Sequence, residues 1–180
     1  MQNQIRFQFE VVTIKKILMI DQKKCRSCRT CEVACSFFKY AQCDPARSRI
    51  HAERWDDGPL VGTSLARVCQ QCTPPSCIAA CPTGAITLNK KTGALQLKQD
   101  LCTKCGLCIN DCTFGAIIRN PESGFPLVCD LCGGKPKCEE WCPAKAISYV
   151  PITWANLMKK RELSADMLST VRKAARDAEK

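Results

Sequence analysis

Residues 102–112 read CTKCGLCINDC, a C-x2-C-x2-C-x3-C run. This is the spacing of bacterial 4Fe–4S ferredoxin loops. A cubane presents four iron corners, and each takes one thiolate. Cysteines at every third position of a short loop reach three corners of one cube. The fourth leaves the loop on a helical turn and serves a neighbouring cluster. The run therefore implies a second cluster close by.

Three further quartets answer that demand. Cys25, Cys28, Cys31 and Cys35 repeat the spacing. Cys69, Cys72, Cys77 and Cys81 widen the middle gap, and Cys129, Cys132, Cys138 and Cys142 widen it further. With Cys102, Cys105, Cys108 and Cys112 these groups take sixteen of the seventeen cysteines, leaving Cys43 as a spare thiol. Sixteen ligands fill four 4Fe–4S clusters with no corner vacant.

Structural zinc fits less well. It prefers two C-x2-C hooks separated by a longer loop, and only the fourth quartet loosely has that form. A disulfide scaffold fits least. Such scaffolds belong to short secreted chains, and this one has 180 residues with no secretory signal pattern.

The hydrophobic fraction of 46% includes the cysteines, so the aliphatic core is thin. The clusters are expected to serve as core, and their loss to unfold the chain. The formal charge of +10 counts every thiol as neutral. Sixteen thiolates and four oxidised cores of about 2+ each bring it to about +2. The basic surplus therefore mostly balances cofactor and gives little support to a nucleic-acid partner. No run approaches the length of a membrane span. The N-terminal stretch, broken by Glu10, Lys15 and Lys16, lacks the form of an export signal. A cytoplasmic protein is expected.

Along the chain, residues 1–13 read as a tail. Ile14 to Ile20 predicts a strand, Thr30 to Phe38 a short helix carrying Cys35, and Arg49 to Trp55 a strand. Asp56 to Pro59 predicts a turn. Lys23, Lys24, Arg26 and Arg29 read as a solvated basic face. His51, the one histidine, has no catalytic companion and reads as a surface or packed residue. Ala85 to Leu88 and Ala94 to Leu97 predict one hairpin, and Ala116 to Arg119 and Phe125 to Val128 a second. The two loop-plus-hairpin units suggest internal duplication. Ala146 to Pro151 predicts a closing strand. Ser164, Met167, Leu168, Val171, Ala174, Ala175 and Ala178 recur at helical steps. That face either packs on its own domain or clamps a larger subunit.

With CRSCRTCEVACS at residues 25–36 and CDLCGGKPKCEEWCP at 129–143, the chain resembles ferredoxin-like electron-transfer subunits carrying four 4Fe–4S clusters. These partner molybdenum or tungsten pterin oxidoreductases. The likeness covers about residues 15–151. The size also resembles the small subunits of tungsten aldehyde-oxidoreductase-type complexes, class II benzoyl-CoA reductase among them.

The resemblance implies an α+β fold: a duplicated bacterial ferredoxin-like unit of two nested modules with a C-terminal helical extension. The outer module would take residues 14–65 and 121–151, the inner 66–120, and the extension 152–180. It also implies ligand sets. One cluster takes Cys25, Cys28, Cys31 and Cys142, and its neighbour Cys129, Cys132, Cys138 and Cys35. A third takes Cys69, Cys72, Cys77 and Cys112, and a fourth Cys102, Cys105, Cys108 and Cys81.

Ferredoxin quartets often end in Cys-Pro, but Ser36 and Thr113 follow the last cysteine of two quartets here. Each restores an N–H and adds a hydroxyl. Both are therefore expected to hydrogen-bond near the clusters and raise their potentials.

The expected role is an electron relay bound to a larger catalytic oxidoreductase subunit in a hetero-oligomer. No nucleic acid is expected to bind and no segment to enter a membrane. The sequence holds no nucleophile–base pair and no phosphate loop, so no catalysis is assigned to this chain itself. The alternatives are a free-standing polyferredoxin and a zinc-type nucleic-acid module. The second is weakened by the scarcity of aromatics for base stacking. Anaerobically prepared protein is expected to be brown and to hold about sixteen irons by the ligand count. About four zincs in a colourless protein would reject the assignment.

Overall fold

The computed structural model describes residues 16–54 and 64–178. The tail at 1–13, the start of the first predicted strand and the turn at 56–59 lie outside the described residues. The fold is a small α+β arrangement with a C-terminal helix. Among the described residues the strands form four two-stranded antiparallel sheets.

Strand β1 (Lys16–Ile20) pairs with β8 (Ile147–Pro151), with Leu18 opposite Tyr149. The two ends of the cysteine-rich region are thus joined. Four consecutive apolar residues of β1 are buried, the pattern of a strand covered on both faces. Strand β2 (Ile50–Arg54) pairs with β3 (Ser64–Val68). β3 was not foreseen in the sequence, because only three of its five residues are apolar and it leads straight into a cysteine loop.

Strands β4 (Ile86–Leu88) and β5 (Leu95–Leu97) form the first predicted hairpin, and β6 (Ile118–Arg119) and β7 (Pro126–Leu127) the second. Their turns share one chemistry. Asn89 Oδ1 accepts from Lys91 N and Thr92 N, and Asn120 Oδ1 accepts from Glu122 N and Ser123 N. Each turn closes with a glycine N–H on the asparagine carbonyl, from Gly93 at 2.8 Å and from Gly124 at 2.9 Å. Both glycines have positive φ, the conformation such turns need.

Helix α1 (Thr30–Tyr40) carries Cys31 and Cys35, while α2 (Ser76–Ala79), α3 (Leu107–Asn110) and α4 (Lys137–Glu140) are single turns. α1 packs on α4 and α2 on α3. Two apolar clusters follow from this. One gathers Leu18, Ile20, Ile50, Leu131 and Ile147 around the first and fourth quartets. The other gathers Ile86, Leu95, Ile117 and Val128 around the second and third.

Buried polar groups bridge the pieces. Glu32, 1% exposed, accepts from Ala52 N on β2 and from Arg29 Nε. Gln22 donates to the Ala66 carbonyl at 2.7 Å and accepts from Ala66 N at 2.8 Å. Its amide copies a strand's bonding edge and joins the β1 end to β3.

Helix α5 (Trp154–Ala178) begins ten residues before the predicted helical face. Thr153 caps it, its hydroxyl accepting from Asn156 N at 3.2 Å. Met167 is buried and the helix packs on β1. The side chains of Val171, Ala174, Ala175 and Ala178 lie outside the described residues.

Gln22→Ala removes both bonds to Ala66 and leaves its donor and acceptor unsatisfied, at a cost of about 2 kcal/mol. Anaerobic denaturant titration of the cluster-loaded protein should show that loss.

Candidate metal centres

None of the seventeen cysteines is joined in a disulfide. Two cavities gather them across large sequence separations. One is lined by Cys25, Cys28, Cys31 and Cys142 with Ile20 and Ile147. The second is lined by Cys81, Cys102, Cys105 and Cys108 with Ile86 and Pro126. In each, three thiols come from one loop and the fourth from another quartet.

The remaining eight ligands cluster by proximity. Burial, with Cys69, Cys112 and Cys72 as neighbours, raises the Cys77 pKa to about 12. Burial also pushes Cys138 up strongly, and Cys35 and Cys132 add to it. Cys129 rises through burial, then through nearby Cys69, Cys138 and Cys35. Cys69 and Cys129 therefore bring those two groups side by side. Cys31, a neighbour of Cys138, links the second group to the first cavity.

The loop backbones share one feature. The residue before the second cysteine has positive φ in every quartet: Ser27 at 48°, Gln71 at 52°, Lys104 at 58° and Leu131 at 55°. None is glycine, and such a conformation costs on the order of 1–3 kcal/mol for each. It turns adjacent N–H groups to one side, forming the concave nests that hold anions and Fe–S clusters. Sequence reading missed these positions because none of the four residue types signals a left-handed turn.

Three fourth-position cysteines share a second feature. Gly84, Gly115 and Lys145, each three residues after its cysteine, have positive φ. Ala116 N then donates to Cys112 Sγ at 3.3 Å and Ala146 N to Cys142 Sγ at 3.3 Å. Burial raises Cys81, but backbone donors at Ile86 and Ala85 and the Thr83 hydroxyl outweigh it. Cys35 departs from this pattern because α1 continues through it. Its sulfur takes Arg49 N, also at 3.3 Å.

These bonds correct the expectation for the Ser36 hydroxyl. The Ser36 hydroxyl, fully buried, donates to the Glu32 and Val33 carbonyls and accepts from Asp44 N. It is spent on the backbone. Cys112 receives from Ala116 the bond that Cys142, followed by proline, receives from Ala146. Thr113 is not the source of that bond.

Among the described residues, no group of three or more Cys, His, Asp or Glu is drawn tightly enough for a single ion. Four sulfurs at about 2.3 Å from one zinc would be so drawn. The open cavities, their thiols and the N–H nests fit a cube. Cys43 is exposed. His51 is half-buried, its pKa lowered by burial and by Arg67, and it reads as a packed residue.

Without metal, burial raises Cys31 and Cys77 to about 12 and Cys69 to about 11. These thiols hold their protons at neutral pH, whereas cluster ligands are thiolates. Loading must release protons, so rising pH favours it and acid reverses it. Anaerobic reconstitution in weakly buffered solution should show acidification that grows with iron uptake, and the loaded midpoint of acid bleaching should fall when more iron is supplied.

A profile of the 4Fe–4S dicluster domain matches residues 61–153. The chain is 38% identical over 126 residues to the aliphatic sulfonate oxidoreductase, polyferredoxin-like subunit, of Pyrococcus furiosus, spanning 69% of this chain and 70% of that protein. It is 32% identical over 148 residues to the B polypeptide of anaerobic dimethyl sulfoxide reductase of Escherichia coli, spanning 74% and 72%. A component of the active site complex BamBC of benzoyl coenzyme A reductase aligns over 89% of this chain and 97% of its own length, with 27% identity and a TM-score of 0.46. The quartets, their nests and these sequence matches place the chain in the 4Fe–4S dicluster domain family, whose members bind 4Fe–4S clusters.

Proposed function

We propose that this chain is the iron–sulfur subunit of an oxidoreductase complex, carrying single electrons between a larger catalytic subunit and an external donor or acceptor. The observation that carries the reading is the first cavity, where Cys142 closes a set begun by Cys25, Cys28 and Cys31. The relatives named above are, by description, components of oxidoreductases. A tungsten or molybdenum pterin centre in the catalytic subunit is the partner we favour, on the resemblance of the quartets.

The proposed ligand sets are Cys25, Cys28, Cys31 with Cys142; Cys129, Cys132, Cys138 with Cys35; Cys69, Cys72, Cys77 with Cys112; and Cys102, Cys105, Cys108 with Cys81. Bound cubanes supply one-electron couples, their potentials set partly by hydrogen bonds to sulfur. The chain's part is to hold them in line. The neighbours Cys31 and Cys138, then Cys69 and Cys129, support a relay in that order. The last two sets share one apolar cluster.

The shared hairpin turns support an internal duplication, with an inner module at 66–120 nested in an outer one at 14–65 and 121–151. β3 runs through residue 65, and the β6–β7 hairpin spans residue 120, so continuous sheets tie the modules together. The 152–180 extension packs on β1 through α5. With every thiol of the sets given to a cluster, no iron corner is open to substrate, and catalysis belongs to the partner. No described helix is long and apolar enough to cross a membrane, and a cytoplasmic location is our reading.

Exposed apolar residues support a docked subunit. Phe38 stacks edge-on with Phe37 and Trp141, all three more than two-fifths exposed, beside Cys35 and Cys142. Leu101 and Leu107 are similarly exposed beside the Cys102 loop.

Anaerobic purification of the tagged chain from its native cell should bring down a larger pterin-containing protein in fixed ratio, and electrons from it should bleach the absorbance near 400 nm. A lone, iron-loaded monomer would favour the free-standing polyferredoxin. A protein without iron would reject both readings.

A further inference from the structure

Helix α5 delivers a lysine to the second cysteine loop. Lys160 Nζ donates to the Gln70 carbonyl at 2.5 Å, and Ser164 Oγ, one turn on, donates to Gln70 Oε1 at 3.1 Å. Gln70 lies next to Cys69 and two residues before Cys72. Lys160, Ser164 and Met167 line one small cavity with Met19 and Ile20 of β1, so the lysine sits in the seam between helix and body. Its hydrogen-bond partner there is a neutral carbonyl, which leaves its charge to act on the surroundings. Burial lowers the Lys160 pKa, while Cys69 and Cys72 oppose that shift as the nearby negative groups.

We propose that Lys160 is a positioning charge for electrons: docked by α5, its ammonium raises the reduction potential of the cluster held by Cys69, Cys72, Cys77 and Cys112. This rests on the ligand sets given above. One electron leaves the neighbouring cluster of the relay, which is oxidised, and enters this one, which is reduced. Negative charge here grows by one unit, and a fixed cation stabilises the reduced form more than the oxidised form. No proton or bond changes hands. The C-terminal helix thereby fixes how long an electron resides at one interior step of the relay.

The test is an EPR-monitored redox titration of the full, iron-loaded chain. Cys72→Ala identifies the signal, since it should remove one cluster and its resonance. Lys160→Met should weaken electron binding at that cluster by on the order of tenfold, about 59 mV for a one-electron couple. The other midpoints should stay in place. Lys160→Arg should restore the wild-type value. Ser164→Ala, which breaks the uncharged contact with Gln70, should leave the midpoint unmoved. If Lys160→Met loses iron, Lys160→Gln, which keeps a donor for the carbonyl, should read the same shift.

An unmoved midpoint in the iron-complete lysine variants overturns the inference. An equal shift in Ser164→Ala also overturns it, because the cause is then displacement of the helix. Failure of the ligand sets looks different: Cys72→Ala would keep all its iron and every resonance.

Discussion

The structure depends on gathering negative sulfur where apolar side chains would otherwise meet. Sixteen thiols line the cluster loops of a chain with few large aliphatic residues, and metal-free the most deeply set of them, Cys31, Cys69, Cys77, Cys129 and Cys138, resist ionisation because they are buried. Each fourth cysteine is met by a main-chain N–H, from Ala85, Ala116 and Ala146 or, for Cys35, from Arg49. Each loop also holds at least one non-glycine residue in a left-handed conformation. Bonding to iron and the convergent N–H dipoles are what offset that strain. The four short sheets are braces around these loops rather than an independent core.

The parts of the molecule legible in the sequence are those set by local covalent arithmetic. Three cysteines spaced every third residue define a loop whatever surrounds them. Asn-x-x-x-Gly between two apolar runs defines a hairpin, because the asparagine amide and the glycine φ are both local. β1, β8 and α1 followed from residue type within a residue or two. Pairings made at a distance were not legible. Nothing in Ser64–Val68 says that it pairs with Ile50–Arg54, and nothing in Gln22 says that its amide meets Ala66. The left-handed residues carry no signal because Gln71 and Leu131 take that conformation under the pull of the site. Nothing in the sequence around Lys160 says that it meets the second cysteine loop. Only the docking of α5 on β1 turns it inward.

The expectation for the Ser36 hydroxyl failed for a physical reason. A residue that can donate is not thereby aimed at sulfur. α1 continues through Ser36, and the helix claims both its N–H and its hydroxyl. At Thr113 the chain follows the same turn that Pro143 follows, so the donor arrives from the residue four positions after the cysteine in either case.

The first cavity draws its wall from both termini of the cysteine-rich region, Cys25 near the start and Cys142 near the end. On the proposed ligand sets, this gives biosynthesis an order. The two inner sets are complete once translation has passed Cys112 and that segment has left the ribosome. The outer two wait for Cys138 and Cys142, the second of which lies just before β8, the strand that zips onto β1. A nascent chain stalled between those points would present one finished half and one half of unclaimed thiols, open to oxidation. On those sets, the inner pair can be filled before the outer pair, and the outer pair only as the fold closes.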